Sequence, residues 1–308
     1  MAKTLAMKIT IIVLNWNAEK YITACLQSLK HLATRPHRVE IVVVDNASTD
    51  DSVKLIKRKF PKLKIIQTGQ NLGYAGGNNV GLQYALDQGS DFAWIVNPDV
   101  QVHPQALLSL VNAAESHPNG GIFGSKCYFA KGYEFYKERY TPSQLGQVIW
   151  YAGGKINWAN LINQHIGVNE VDIGQYNQLR ETDSVTGASL FVRRQVLDNV
   201  GLFDPKYFLY YEETDFCMKA VHCGWKLYYV PESIVWHANA QATGVGSTLV
   251  DYYTTRNRLL FGLRWAPWRT KYSLVKESLR LLLTGRPWQK IGVRDFYLGR
   301  FEKGSYIK

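Results

Sequence analysis

The run ITIIVL at 9–14 is apolar without a break, and helical spacing follows it, opening a rhythm that the first 120 residues repeat four times. EIVVVD (40–45), LKIIQT (63–68) and DFAWIV (91–96) read as the later strands. Between them, 18–32, 49–59 and 74–88 read as helices, and a fourth helix opens at Pro104. Ser48-Thr49-Asp50 offers a cap for the second of these. Strands that read as continuous Val/Ile runs are covered on both faces. The fold class is therefore α/β, a mostly parallel sheet flanked by helices.

In such sheets a ligand lies beyond the carboxyl ends of the strands. The first strand here ends in Asn15, the second in Asp45-Asn46 and the fourth in Asn97-Pro98-Asp99. A single acid after a strand suits a helix cap or a turn, as at Asp50 or Asp51. Three polar ends on one rim point to a crevice. NLGYAGGNNVG (71–81) carries glycines at 73, 76, 77 and 81. A dinucleotide fingerprint would follow the first strand with different spacing. The glycines fit both a helix packed tightly on the sheet and a backbone that approaches a ligand.

In the second half, Glu212-Glu213-Thr214-Asp215 follows FLYY and opens a helix over about 212–223. Acids there complement the helix dipole. Carboxylates walled by aromatics also suit a raised pKa and proton acceptance. His237 ends a short apolar strand and fits either a structural or a ligating role.

With 46% hydrophobic residues the chain can bury a sizeable core. No stretch reaches the length of a membrane span, and the first apolar run meets Asn15-Trp16-Asn17 instead of a signal-peptide cleavage site. Four cysteines make no disulfide framework and suit a reducing compartment. Cys217, His222 and Cys223 lack the paired spacing of a zinc site. From Asp251 onward there are 13 Lys/Arg against 4 Asp/Glu, so +9 of the net +11 belongs to the tail.

VLNWN, VVDNASTDDS, NLGYAGGNNVG, NPDV, TGASLFVRR, VGLFDPKYFLYYEETDFCMK and VWH, in this order, resemble the family 2 glycosyltransferases of the GT-A fold, most of all the bacterial rhamnosyltransferase type. The resemblance covers roughly residues 8 to 240 and implies a GT-A domain over 1–250 followed by a basic, aromatic helical extension over 251–308. It implies a nucleoside-diphosphate sugar as donor, dTDP-rhamnose being the best fit, and a glycan or lipid-linked acceptor in cell-surface polysaccharide synthesis. Asp45 would bind the base, Asn15 and the 73–78 loop (Gly73, Tyr74, Asn78) would border the nucleoside, and Asn97 would orient a phosphate or ribose. Asp99 would hold Mg²⁺ or Mn²⁺, hard cations that prefer oxygen ligands, with His237 supplying further coordination. One carboxylate stands where many relatives have two. The family inverts the anomeric centre with one base; Glu213 takes that position, a Glu where Asp is usual, and Asp215 is the second candidate. Two other classes share parts of this pattern, a nucleotidyltransferase that makes nucleotide sugars and a non-catalytic nucleotide-sugar-binding protein.

After residue 250 the resemblance thins to DYYTTRNRLLFGLRWAPW, similar to a Tyr-Tyr…Arg-Asn segment of relatives. Basic residues interleave there with Trp265, Trp268, Leu281–Leu283 and Trp288. No nucleic-acid module is visible, and a nucleic-acid partner is not expected. The mixture suits interfacial helices on an anionic membrane, hence a cytoplasmic protein at the inner face of the cell membrane; helices packed back on the domain are the other reading.

Overall fold

The computed structural model describes residues 6–238 and 247–306. The part of IVWHANAQATG beyond Ala238 lies outside them. The elements run β1 (Lys8–Asn15), α1 (Ile22–Lys30), β2 (Arg38–Asp45), α2 (Ser52–Lys59), β3 (Lys64–Gln67), α3 (Gly73–Asp87), β4 (Phe92–Val96), β5 (Val100–Val102), α4 (Ala106–Ser116) and β6 (Gly120–Phe129). There follow β7 (Ile149–Tyr151), β8 (Gly154–Asn157), β9 (Ile162–His165), β10 (Arg180–Glu181), β11 (Ser189–Arg193), α5 (Arg194–Val200), α6 (Glu212–His222), β12 (Lys226–His237), α7 (Thr248–Trp265), α8 (Trp268–Thr284) and α9 (Pro287–Tyr297).

The main sheet has the path β10-β12-β6-β11-β4-β1-β2-β3. β1, β2, β3 and β4 pair in parallel, as the sequence rhythm requires. β1 shows why its residues read as one apolar run. Ile9, Ile11 and Val13 point to a core roofed by α1 and α4, while Ile12 and Leu14 point to a second core under α3, α5 and α6. The rhythm stops at β11, which lies antiparallel between β4 and β6. The first helix starts at Ile22, later than its spacing suggests, because Ala18 to Tyr21 form a turn whose carbonyls take the first helical N–H groups. Asp50, one residue ahead of the helix boundary at Asp51, accepts the Ser52 N–H at 3.1 Å.

The glycines of α3 set its distance from the sheet. A Cβ on Gly77 would lie 2.5 Å from Leu14 Cδ1, and one on Gly81 would lie 2.3 Å from Ile12 Cγ2. Neither atom belongs to a flexible surface side chain; both are inside the core. The tight-packing reading of NLGYAGGNNVG therefore holds for its second half.

The last three helices belong to the fold. Leu259, Phe261, Leu274 and Val293 share a core with Ile156, Leu161 and Tyr207. Tyr252 and Tyr253 share another with Phe208 and Tyr306. Trp288 packs on Tyr306 with ring centroids 4.8 Å apart. Among the described residues no helix is long and apolar enough to cross a membrane.

Gly81→Ala should raise helix propensity by about 1 kcal/mol yet overpack Ile12 at a cost of roughly 1–3 kcal/mol. The expected outcome in chemical denaturation is a net loss of stability; a gain would mean that α3 is free to move off the sheet.

Candidate active site

The rim expected beyond β1, β2 and β4 exists. Parallel register places Asn15 opposite Asp45. Both are buried, and Asn15 Nδ2 donates to Asp45 Oδ1 at 2.9 Å and to Ser52 Oγ at 2.9 Å. Asn15 Oδ1 is buried without a hydrogen-bond partner. The neighbouring Asn46 ties down the glycine loop: it donates to the Gly73 carbonyl at 3.0 Å and accepts from the Leu72 N–H at 2.9 Å. Gly73 has φ +71°, and its missing Cβ would lie 2.3 Å from the Phe208 carbonyl oxygen. Here only glycine serves, for conformation and for space. Tyr74 donates to the Gly187 carbonyl at 2.7 Å, and the buried Asn78 donates back to the Tyr74 carbonyl at 3.0 Å. Asn78 thus supports the loop from beneath.

Asn97-Pro98-Asp99 leaves β4 and turns at once into β5, which pairs with the end of β12 and sets Val100 opposite His237. That pairing brings Asp99 Oδ1 to 3.2 Å from His237 Nε2. Asn97 Oδ1 and His237 Nδ1 are buried without a hydrogen-bond partner. Trp150 packs edge-on against His237, centroids 4.5 Å apart. Among the described residues no three His, Cys, Asp or Glu gather into a metal-holding group. A carboxylate oxygen and an imidazole nitrogen that converge, beside an orphaned amide oxygen, fit a divalent cation whose remaining ligands come from elsewhere.

The third part is the start of α6. Glu212 is buried, and one oxygen of each of Glu212 and Glu213 has no hydrogen-bond partner. Burial, and then the Glu213 charge, push the Glu212 carboxyl well above its ordinary range. Glu213 is raised by burial too, but the N–H groups of the helix start and a proton donated by Glu212 favour its anion. Of the two, Glu213 is the one whose anion the helix N–H groups favour. Burial pushes the Tyr74 phenol up, followed by the charges of Glu213, Glu212 and Asp99.

Asp215 is placed differently. It is fully buried, and its Oδ1 accepts from Tyr207 at 3.0 Å, Arg264 at 2.8 Å and Trp265 at 2.8 Å. The geometry is that of an anchor between α6 and α7. It also turns Trp265 inward.

The chain just before Glu212 is strained. Phe208, Tyr210 and Tyr211 have φ of 63°, 70° and 72°, conformations that cost bulky residues about 1–3 kcal/mol each. Two buried side chains of α7 hold them. Asn257 Nδ2 donates to the carbonyls of Tyr207, Leu209 and Tyr210 at 2.8, 2.8 and 2.9 Å. Arg256 donates to the carbonyls of Lys206 and Tyr207 at 3.1 and 3.0 Å, and its Nε bonds Asn257 Oδ1 at 3.0 Å. The Arg-Asn dipeptide was visible in the sequence, but its role was not. Hydrogen bonds to distant carbonyls leave no periodic signal.

A polar rim on a largely parallel sheet, facing an acidic helix start and an acid–imidazole pair, defines a nucleotide-crevice enzyme of the α/β class. The family model for glycosyl transferase family 2 matches residues 10–197, and that for glycosyl transferase family group 2 matches 125–297. The chain therefore belongs to glycosyl transferase family 2 and is a glycosyltransferase of the GT-A fold. It is 28% identical over 247 residues to the N-acetylglucosaminyl-diphospho-decaprenol L-rhamnosyltransferase of Mycobacterium tuberculosis, with 76% of this chain and 77% of that one covered. It is 26% identical over 292 residues to the rhamnosyltransferase WbbL of Escherichia coli, with 91% and 97% covered. Its fold matches the crystal structure of GalNAc-T7 with UDP, GalNAc and Mn²⁺ at TM-score 0.61 and 16% identity, over 76% of this chain and 44% of that one.

Asn257→Ala removes three carbonyl contacts at a cost of about 1–3 kcal/mol. We expect a folded protein of lower Tm whose kcat falls at least about tenfold while the donor KM stays within about twofold, as loss of positioning requires. Asn257→Asp, which keeps the acceptor for Arg256, should do the same. Unchanged kcat in both would detach the strained turn from catalysis.

Proposed function

We propose that this enzyme transfers a sugar, with inversion, from a nucleoside-diphosphate donor to a hydroxyl of a glycan or lipid-linked acceptor. The donor is dTDP-rhamnose, and the product contributes to a cell-surface polysaccharide. The observation that carries the reading is the pair of acids at the start of α6, Glu212 buried and each acid with one buried, unpartnered carboxylate oxygen, directly after the strained turn that Asn257 holds. The two rhamnosyltransferase relatives support the sugar, and the lipid-diphosphate named for the mycobacterial one supports the acceptor. Such an acceptor is met at the cytoplasmic face of an anionic membrane.

Asp45 binds the base at the β1–β2 rim, Asn15 and the 73–78 loop border the nucleoside, and Asn97 orients a phosphate or the ribose through its unpartnered oxygen. Glu213 accepts the proton of the acceptor hydroxyl as that oxygen bonds to the anomeric carbon and the bond to the diphosphate breaks. Glu212, pushed well above its ordinary range by burial and by the Glu213 charge, is less available as a carboxylate for that proton. Asp215 anchors the helix that presents both. Asp99 and His237 would hold Mg²⁺ or Mn²⁺, which when bound would offset the charge that gathers on the leaving diphosphate.

The test is release of nucleoside diphosphate from a panel of nucleotide sugars with lipid-linked acceptors. Glu213→Gln should lower kcat about 10²-fold or more with donor KM nearly intact, whereas Glu212→Gln should keep most of the activity. Asp99→Ala, or a chelator added to the wild type, should abolish release. Full activity in chelator would remove the ion from the reaction, and a folded Asp215→Asn that is deadlier than Glu213→Gln would move the base. Synthesis of a nucleotide sugar from a sugar phosphate would overturn the class of reaction.

A further inference from the structure

Of the three tryptophans of the extension, Trp265 and Trp288 are turned into the fold, and Trp268 is exposed. Trp268 begins α8, whose Leu274 and Ser278 are buried. Next to this buried side Trp268 and Tyr272 are 73% and 69% exposed and Leu279 and Leu283 are 54% and 79% exposed, joined by Leu282 at 37%. At about 100° per residue, these five and Val275 fall within an arc of roughly 100°. The arc is bordered on one side by Arg269, Lys276 and Arg280, all exposed, and on the other by Lys271. Within α8 and α9 the acids are Glu277 and Asp295, and both are engaged inward, Glu277 by both guanidinium nitrogens of Arg258 at 3.0 Å and Asp295 by Tyr252 at 2.7 Å. The exposed side of α8 is thus apolar and cationic, with no acid facing out.

We infer that the outer face of α8 is a lipid-docking surface that lies in the headgroup layer of an anionic membrane, with the Trp268–Leu283 stripe in the acyl boundary and Arg269, Lys276 and Arg280 on acidic headgroups. Charge separates this occupant from a second copy of the chain. Two stripes pressed together would set like cations beside one another with no free acid between them. The surface deepens the proposed function, because it would seat the enzyme where a lipid-linked acceptor is found. It rests on that reading only for its purpose, since lipid binding needs no turnover.

The experiment is co-sedimentation of the full chain with vesicles of phosphatidylcholine alone or mixed with phosphatidylglycerol. The expected result is binding to the anionic vesicles at low salt that weakens as salt rises. The double change Lys276→Glu/Arg280→Glu should weaken it by at least about tenfold, given the contribution of each basic residue at such a surface. Leu279→Ser/Leu283→Ser should do likewise. Both pairs are exposed, so the variants should keep the wild-type Tm and transfer to a water-soluble acceptor. Absence of binding, equal binding to uncharged vesicles, or a dimer in sedimentation velocity that the serine variant dissolves would each overturn the inference. Transfer without vesicle binding would sink the surface and leave the enzyme reading standing.

Discussion

The left-handed turn at Phe208, Tyr210 and Tyr211 is the constraint on which the site depends. No preference of these bulky residues leads there; free in solution the segment would relax. It is held because Arg256 and Asn257 reach across from α7 and bond the turn's carbonyls. Arg264 and Trp265, two turns further along the same helix, take hold of Asp215. The helix after the catalytic sheet is therefore part of the machinery that aims Glu213. That also explains why a cation as costly to bury as Arg256 is kept with carbonyls for most of its partners.

The other half of the site is delivered by sheet register. Parallel pairing sets Asn15 against Asp45, and the antiparallel return of β12 on β5 carries His237 to Asp99 across 138 positions of chain. Gly73, pressed on the Phe208 carbonyl, joins the two halves.

The sequence disclosed the first four strands and helices because each buried face repeats a period, and Ile9 to Leu14 could hardly be read otherwise. It also disclosed Asn15, Asp45 and Asp99, whose place at strand ends follows from the sheet itself. What stayed hidden depends on contacts far apart in the chain. The apolar stretch of β11 reads as a strand, but its antiparallel entry between β4 and β6 leaves no mark in the sequence. Asp215 and Glu213 look alike in EETD, and only the donors from Tyr207, Arg264 and Trp265 tell them apart. The tryptophans of the extension were equivalent by composition, whereas the fold turns Trp265 and Trp288 inward and leaves Trp268 out. The stripe on α8 was legible in principle, since 268, 272, 275, 279 and 282 follow helical spacing, but it reads as core until the fold shows which side is covered.

The central claim is that the Glu213 carboxylate, at the start of α6, accepts the acceptor's proton. The pH dependence of kcat/KM tests it most directly. A base must be deprotonated to act, so activity should fall as pH drops through the pair's apparent pKa, which burial places above the ordinary glutamate value of about 4.3. The acid limb should disappear from the residual activity of Glu213→Gln. An acid limb at an ordinary carboxylate value, or one that persists in Glu213→Gln, would contradict the account and move the base away from Glu213.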